Sequence, residues 1–257
     1  MVNYEIVDTH CHLYLDEFSG ELPEYLERAA SEGVCKIFMP ALDEHHYSRM
    51  IEVEDAFPNY CSAMIGVHPC YIRENFRDEL DFMEEALNLR KFAAIGEIGL
   101  DYYWDRSFDQ QQMEAFREQI VLARKANLPF VIHSRNSMDQ VIEVLKEEKN
   151  KGIKGIFHCF SGTYENAKDV IDCGFLLGIG GVVTYKNSGL ADVVSRIGLD
   201  HLVLETDAPY LTPVPFRGKR NESSYLKYVI AKIAEATNKP VEVVAEATTK
   251  NATLVFG

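Results

Sequence analysis

AAIGEIGLDYYWDRSFDQQQMEAFREQIVLARKANLPFVI, residues 93–132, holds one complete repeat of the chain's architecture. Its first run, Ala93–Gly96, is short and apolar on both faces. So is its last, Pro129–Ile132, as expected of parallel strands that are covered on both sides. Between them, Gln110–Ala126 places Met113, Phe116, Ile120 and Ala123 at intervals of three or four, with Glu114, Arg117, Glu118 and Arg124 facing water. That spacing predicts an amphipathic helix. Strand, helix and strand in succession predict a parallel pair joined by a crossover.

The same alternation runs outward in both directions. Short apolar runs at Glu5–Asp8, Val34–Met39, Ser62–Val67, Gly155–Phe157, Phe175–Gly178 and Leu202–Leu204 bring the expected strands to eight, each closed by Gly, Pro, His or an acid. Ser224–Thr237 repeats the helical pattern through Leu226, Val229, Ile230 and Ile233. Eight strands in 257 residues give about 32 residues per unit, the size of a βα repeat. Eight such units closing on themselves make a (β/α)8 TIM barrel, with catalytic groups at the C-terminal mouth of its strands. An open doubly wound sheet is the alternative, but no GxGxxG follows the first strand. No low-complexity tract or Pro/Ser-rich linker divides the chain, so residues 1–257 are expected to form one domain.

Composition narrows the function. An apolar fraction of 47% with 26% charged residues is that of a globular protein, not a disordered or collagen-like chain. The most apolar stretch, Phe175–Val183, falls well short of the roughly 18–20 residues of a spanning helix, so no membrane association is expected. The first residues lack a basic region followed by an apolar one, and the six cysteines include no CxxC pair. Both features point to a cytoplasmic protein with reduced thiols. Lys and Arg number 26 against 40 Asp and Glu, a net charge of −14 that disfavours coating of the whole surface by nucleic acid. A local basic or metal-bearing site remains open to phosphate.

The chemistry gathers at the expected strand ends. Asp8-Thr9-His10-Cys11-His12 closes the first, and strand alternation turns His10 and His12 to one face, where two imidazoles can grip one divalent ion. Alone the pair is weak, since chance gives roughly 0.25 HxH pairs in such a chain. But His68 follows the third strand, Glu97 the fourth, His133 the fifth, His158 the sixth, and Glu205 with Asp207 the eighth. In a barrel these ends share one rim. Five of the eight histidines fall there, leaving His45, His46 and His201 as solvated helix or loop residues. Imidazoles with carboxylates suit one or two zinc-like ions, or manganese or magnesium with more water. Asp8 is expected to orient its neighbours or cap a turn. Cys11 and Cys159 are expected to face the barrel wall, and Glu205 to hold a ligand or a loop rather than a metal.

Two segments bear on substrate. The densest basic cluster, Phe216-Arg217-Gly218-Lys219-Arg220-Asn221-Glu222, follows the eighth strand, where barrels often bind phosphate. Arg135, two residues past His133, could reach the same pocket. A solvated loop with structural arginines is the alternative for each cation. Tyr102, Tyr103 and Trp104 follow the fourth strand and present either a base-stacking surface or a lid packed on the core.

These motifs resemble the TatD family of metal-dependent deoxyribonucleases: DTHCHL at 8–13, GVHP at 66–69, AIGEIGLDYY at 94–103, IHSR at 132–135, HCFSG at 158–162, LETDAPYL at 204–211 and RGKRNE at 217–222. The resemblance covers nearly the whole chain; Ser223 departs from it, standing where many members have proline. It implies an amidohydrolase-type barrel with two divalent cations. His10, His12, Glu97 and Asp207 would hold the first, and Glu97 would bridge to a second completed by His133 and His158. The implied reaction is hydrolysis of DNA phosphodiesters, as a 3′→5′ exonuclease in several members. Asp207 is then the expected general base, and His68, Arg135, Arg217 and Arg220 the expected phosphate contacts, with ends or single strands preferred and no obligate protein partner. A D-aminoacyl-tRNA deacylase activity is attached to some relatives, so an ester or amide substrate stays open. Deamination of a nucleobase and a scaffold that keeps its metals only for stability are weaker alternatives.

Overall fold

Eight parallel strands follow one another in a computed structural model that describes residues 2–149 and 151–257. They are β1 (Ile6–Asp8), β2 (Val34–Met39), β3 (Cys61–Ala63), β4 (Ile95–Asp101), β5 (Phe130–Arg135), β6 (Gly155–Phe157), β7 (Phe175–Ile179) and β8 (Leu202–Leu204). Between and after them lie α1 (Leu22–Ser31), α2 (Glu44–Ala56), α3 (Phe76–Leu89), α4 (Asp109–Ala126), α5 (Met138–Glu148), α6 (Tyr164–Asp172), α7 (Leu190–Ile197), α8 (Leu226–Thr237) and α9 (Val241–Phe256).

Strands β1 to β3 pair in order, and so do β4 to β8. Backbone hydrogen bonds cross both seams between the two sets. Thr9 N donates to Leu204 O at 3.0 Å and His12 N to Ala208 O at 2.9 Å, tying the end of β1 to β8. Ile65 N donates to Ala94 O at 3.1 Å and Gly96 N to Ile65 O at 2.8 Å, tying β3 to β4. The result is the expected (β/α)8 barrel. One apolar cluster draws on all eight strand positions, among them Val7, Phe38, Met64, Val131, Ile156 and Val203. Ala252, Val255 and Phe256 of α9 join it, and Asn251 of α9 donates to Leu199 O and Leu202 O before and at the start of β8. Helix α9 therefore plugs the N-terminal end of the strands and leaves the C-terminal end for chemistry.

Three strands end more than two residues from where they are expected. β3 ends at Ala63, and the chain beyond keeps only an isolated bridge between Ile65 and Ile95. β4 and β5 run further than the apolar pattern suggests, so Glu97 and His133 sit within strands rather than after them. The reason is that a barrel strand can carry polar side chains inward near its mouth, which an apolar run cannot reveal. Helix α4 matches its expected face, with Phe116, Ile120 and Ala123 buried, but it also buries Gln112 and Gln119. These amides are braces. Gln119 accepts from Val67 N and donates to Val67 O, and Gln112 does the same for Asp101, satisfying backbone groups beyond the ladder.

Candidate metal centre

Glu97 stands between two groups of histidines. Its Oε2 lies 3.1 Å from His10 Nε2 and 3.9 Å from His12 Nε2. Its Oε1 lies 2.8 Å from His133 Nδ1, 3.6 Å from His158 Nε2 and 3.7 Å from His68 Nε2. Asp207 Oδ1 is 3.5 Å from His12 Nε2 and 3.7 Å from both His10 and His158. All six expected ligands therefore meet, although β1, β4, β5, β6 and β8 supply them from opposite sides of the ring. Glu97 sits where the β4–β5 register shifts between Ile95 and Ile98, the kind of irregularity that re-aims a side chain.

Neighbours fix how each imidazole is presented. Tyr14 Oη donates to Pro40 O at 2.6 Å, so it accepts from His12 Nδ1 at 2.9 Å and turns His12 Nε2 toward Asp207. His158 stacks on His10 with ring centroids 3.4 Å apart, and its Nδ1 lies 3.1 Å from Glu205 Oε1. That carboxylate also accepts from Cys159 N at 2.6 Å, so Glu205 ties down the loop after β6 and lies beside His158. Gly178 makes the space: a Cβ there would lie 2.1 Å from Glu205 Oε2. On the other side, His133 Nε2 bonds Asp101 Oδ2 at 2.9 Å, leaving Nδ1 toward Glu97. Asp8 acts as a buckle between β1 and β8, accepting from Thr206 N and Oγ1 and from Ser223 Oγ. Burial raises its carboxyl to about 6.

Burial pushes His10 down and keeps it neutral, and both of its ring nitrogens are buried without a hydrogen-bond partner. Orphaned polar atoms are costly inside a protein, and a lone pair aimed at two carboxylates is what a cation would satisfy. The donor set fits that role. His10, His12 and Glu97 bring one donor atom each within 4.8 Å of one another, as do His10, His158 and Asp207, and His68, Glu97 and His133. In the absence of a cation the carboxylates charge the neighbouring rings. Burial opposes this, yet Asp101 and Glu97 lift His133 to about 9, and Glu205 and Glu97 lift His158 to about 10. Burial also opposes ionisation of Glu97 and Asp207, but the surrounding imidazoles hold both below the usual carboxylate range. His68 responds the other way, pushed down to about 3 by burial.

Several placements differ from expectation. Cys159 does not face the wall: the chain leaves β6 at Phe157, Cys159 has φ +47°, and its thiol groups with His158 and Glu205. His46 is not simply solvated. It bonds Asp43 through Nδ1 and packs edge-on against Tyr71 near His68. Arg220 donates to Glu17 O and pairs with Glu21 at 2.8 Å, while Arg217 lies over the Tyr185 ring at 4.4 Å. Arg135 lies 3.7 Å over the Tyr103 ring. Asp101 and Tyr14 escaped the sequence reading, although Asp101 belongs to the GLDYY motif and Tyr14 follows His12 by two residues.

A family profile described as TatD related DNase matches residues 7–257. The uncharacterized metal-dependent hydrolase YabD of Bacillus subtilis (strain 168) is 42% identical over 252 residues, 98% of each chain. The crystal structure of YjjV, a TatD homolog from Escherichia coli K12, matches at 32% identity with a TM-score of 0.92, covering 98% of this chain and 97% of that one. A TatD family hydrolase from Entamoeba histolytica, 24% identical, shares the fold with a TM-score of 0.86 over 100% of this chain and 99% of its own.

Proposed function

The chain belongs to the TatD family of metal-dependent hydrolases, and on that premise we propose that it cleaves DNA phosphodiesters with two divalent cations, working 3′→5′ from ends or single strands. The observation that carries this reading is the division of Glu97, with one oxygen toward His10 and His12 and the other toward His133, His158 and His68. A carboxylate so placed suits a bridge between two cations. His10, His12, Glu97 and Asp207 would hold one, and Glu97, His133 and His158 the other; zinc, manganese and magnesium all suit these donors. When bound, such cations supply Lewis-acid charge for the phosphate and lower the pKa of water from 15.7 towards about 7.

The protein's own groups do the rest. Asp207 is ionised at neutral pH and is held by its backbone N donating to His10 O at 2.9 Å, so it can accept the proton of the attacking water as general base. His68 accepts from Cys70 N through Nδ1 at 3.1 Å, so its one proton resides on Nε2. Burial keeps it neutral, and it therefore offers a single N–H donor to a phosphate oxygen beside Glu97. Arg135 and Arg217, which lie over the Tyr103 and Tyr185 rings and pair with no carboxylate among the described residues, are the candidate cations for the phosphodiester chain, whereas Arg220 is already engaged by Glu17 and Glu21.

The whole of residues 1–257 acts in this reading as one cytoplasmic catalytic domain. Among the described residues no helix is long and apolar enough to cross a membrane. The deciding experiment is to strip cations with a chelator, restore manganese, magnesium or zinc, and assay single strands labelled at either end beside closed circular duplex and an aminoacyl ester. Activity restored by cation and fastest on labelled single strands supports the reading; full activity in chelator, preference for closed circles, or turnover of the ester alone overturns it.

A further inference from the structure

Among the described residues, large aromatic side chains are exposed at four positions, and all lie in loops that leave C-terminal strand ends. They are Tyr71 after β3, Tyr103 and Trp104 after β4, and Tyr210 after β8, with exposures of 37%, 50%, 69% and 51%. Tyr71 and Tyr210 pack edge-on near His68 and His12, at the edge of the site itself. Tyr103 and Trp104 are different. Tyr102 tucks onto the core, but the next two rings stand clear of it, 4.8 Å apart and nearly perpendicular. The alternative of a packed lid therefore applies to Tyr102 and not to its neighbours.

Three features tie this pair to the reacting centre. Asp101 holds His133 with one carboxylate oxygen and accepts with the other from Tyr103 N at 3.0 Å and Trp104 N at 3.4 Å. Tyr102 N donates to Arg135 O at 2.8 Å, joining the loop to the end of β5. And the Arg135 guanidinium lies 3.7 Å over the Tyr103 ring and 5.2 Å from Trp104, pairing with no carboxylate among the described residues. The rings are thus held one carboxylate away from a candidate ligand, with a cation laid across one of them.

We propose that Tyr103, Trp104 and Arg135 form a stacking subsite for an unpaired nucleotide of a DNA single strand. The base stacks on the Trp104 face, and Arg135, held flat by Tyr103, meets the adjoining phosphate. The inference rests on the nuclease reading and explains how an acidic protein selects its substrate: a base in a duplex has its faces covered, whereas an unpaired base has one to offer. Stacking of this kind tolerates any base.

Trp104 is the chain's single tryptophan, so its fluorescence reports the subsite directly. The cation-loaded protein is titrated with a phosphorothioate oligo-dT and with an abasic phosphorothioate strand of the same length. Saturable quenching by the first and little by the second is expected; equal quenching, or none, overturns the subsite. Hydrolysis is then compared on ordinary intact and abasic strands. The preference of kcat/KM for the intact strand should shrink by about 5- to 150-fold in Tyr103→Ala/Trp104→Ala, and an unchanged preference overturns the proposal. Quenching by oligo-dT without hydrolysis of either strand would instead remove the nuclease reading and leave the stacking site standing.

Discussion

The loops after β4 and β8 begin alike and end differently. Each starts from an aspartate at the centre, Asp101 beside His133 and Asp207 beside His10 and His12. Beyond that point the β8 loop turns several of its polar groups inward. Asn221 donates to Thr206 O and Tyr210 O, Thr212 to Lys219 O, and Glu222 pairs with Arg28 at 2.8 Å. The β4 loop instead leaves two rings in water and a cation over one of them. By composition the β8 loop is a phosphate-binding candidate; in space Arg220 is engaged with Glu21, whereas Arg217 lies over the Tyr185 ring and pairs with no carboxylate among the described residues. Charge density does not reveal whether a charge is free.

The largest test of this contrast lies at the aspartates. Asp207→Asn should lower kcat by roughly 10²–10⁴-fold, measured on an end-labelled single strand, while circular dichroism stays that of the wild type. Asp101→Asn should act one step removed, weakening cation affinity by about 10–100-fold in calorimetric titration, because it orients His133 rather than binding a cation itself. Equal effects of the two changes would erase the distinction between a base and a positioning group.

Proton uptake gives an intermediate effect. His133 and His158, raised from 6.5 to about 9 and about 10, are both charged at pH 7 when no cation is bound. Their pairing therefore supports the cation-free fold fully below pH 6.5, and that support fades as pH climbs through 9 and 10. A cation needs the neutral rings, so its binding at pH 7 should release close to two protons, and its affinity should rise with pH across the same range. Calorimetry in buffers of different ionisation heat counts the protons; release of none would contradict the assignment of these two rings.

The smallest effect separates the arginines. Arg135→Ala should raise KM for single strands several-fold, whereas Arg220→Ala should leave it unchanged, since Arg220 is engaged with Glu17 and Glu21. A matching rise for both would restore the basic cluster as a phosphate site.

Much of this was legible in the sequence. Short runs apolar on both faces, alternating with stretches of period 3.6, pointed to the eight strands and the barrel, and polar residues at strand ends located the mouth because parallel strands in a barrel all finish on one rim. Side-chain commitments were not legible. Arg220 and Arg135 look alike in a sequence, and only the positions of Glu21 and Tyr103 in space tell them apart. Asp101 was hidden inside an apolar strand whose end the pattern placed too early. Cys159 was misread because a left-handed residue after β6 ended the alternation on which its expected direction rested.

The central claim is that Glu97 joins two cation sites, and counting cations per chain tests it most directly. Elemental analysis of the purified, dialysed protein should find two divalent ions in the wild type and no more than one in Glu97→Ala. One ion in the wild type, or two retained in the variant, would contradict it.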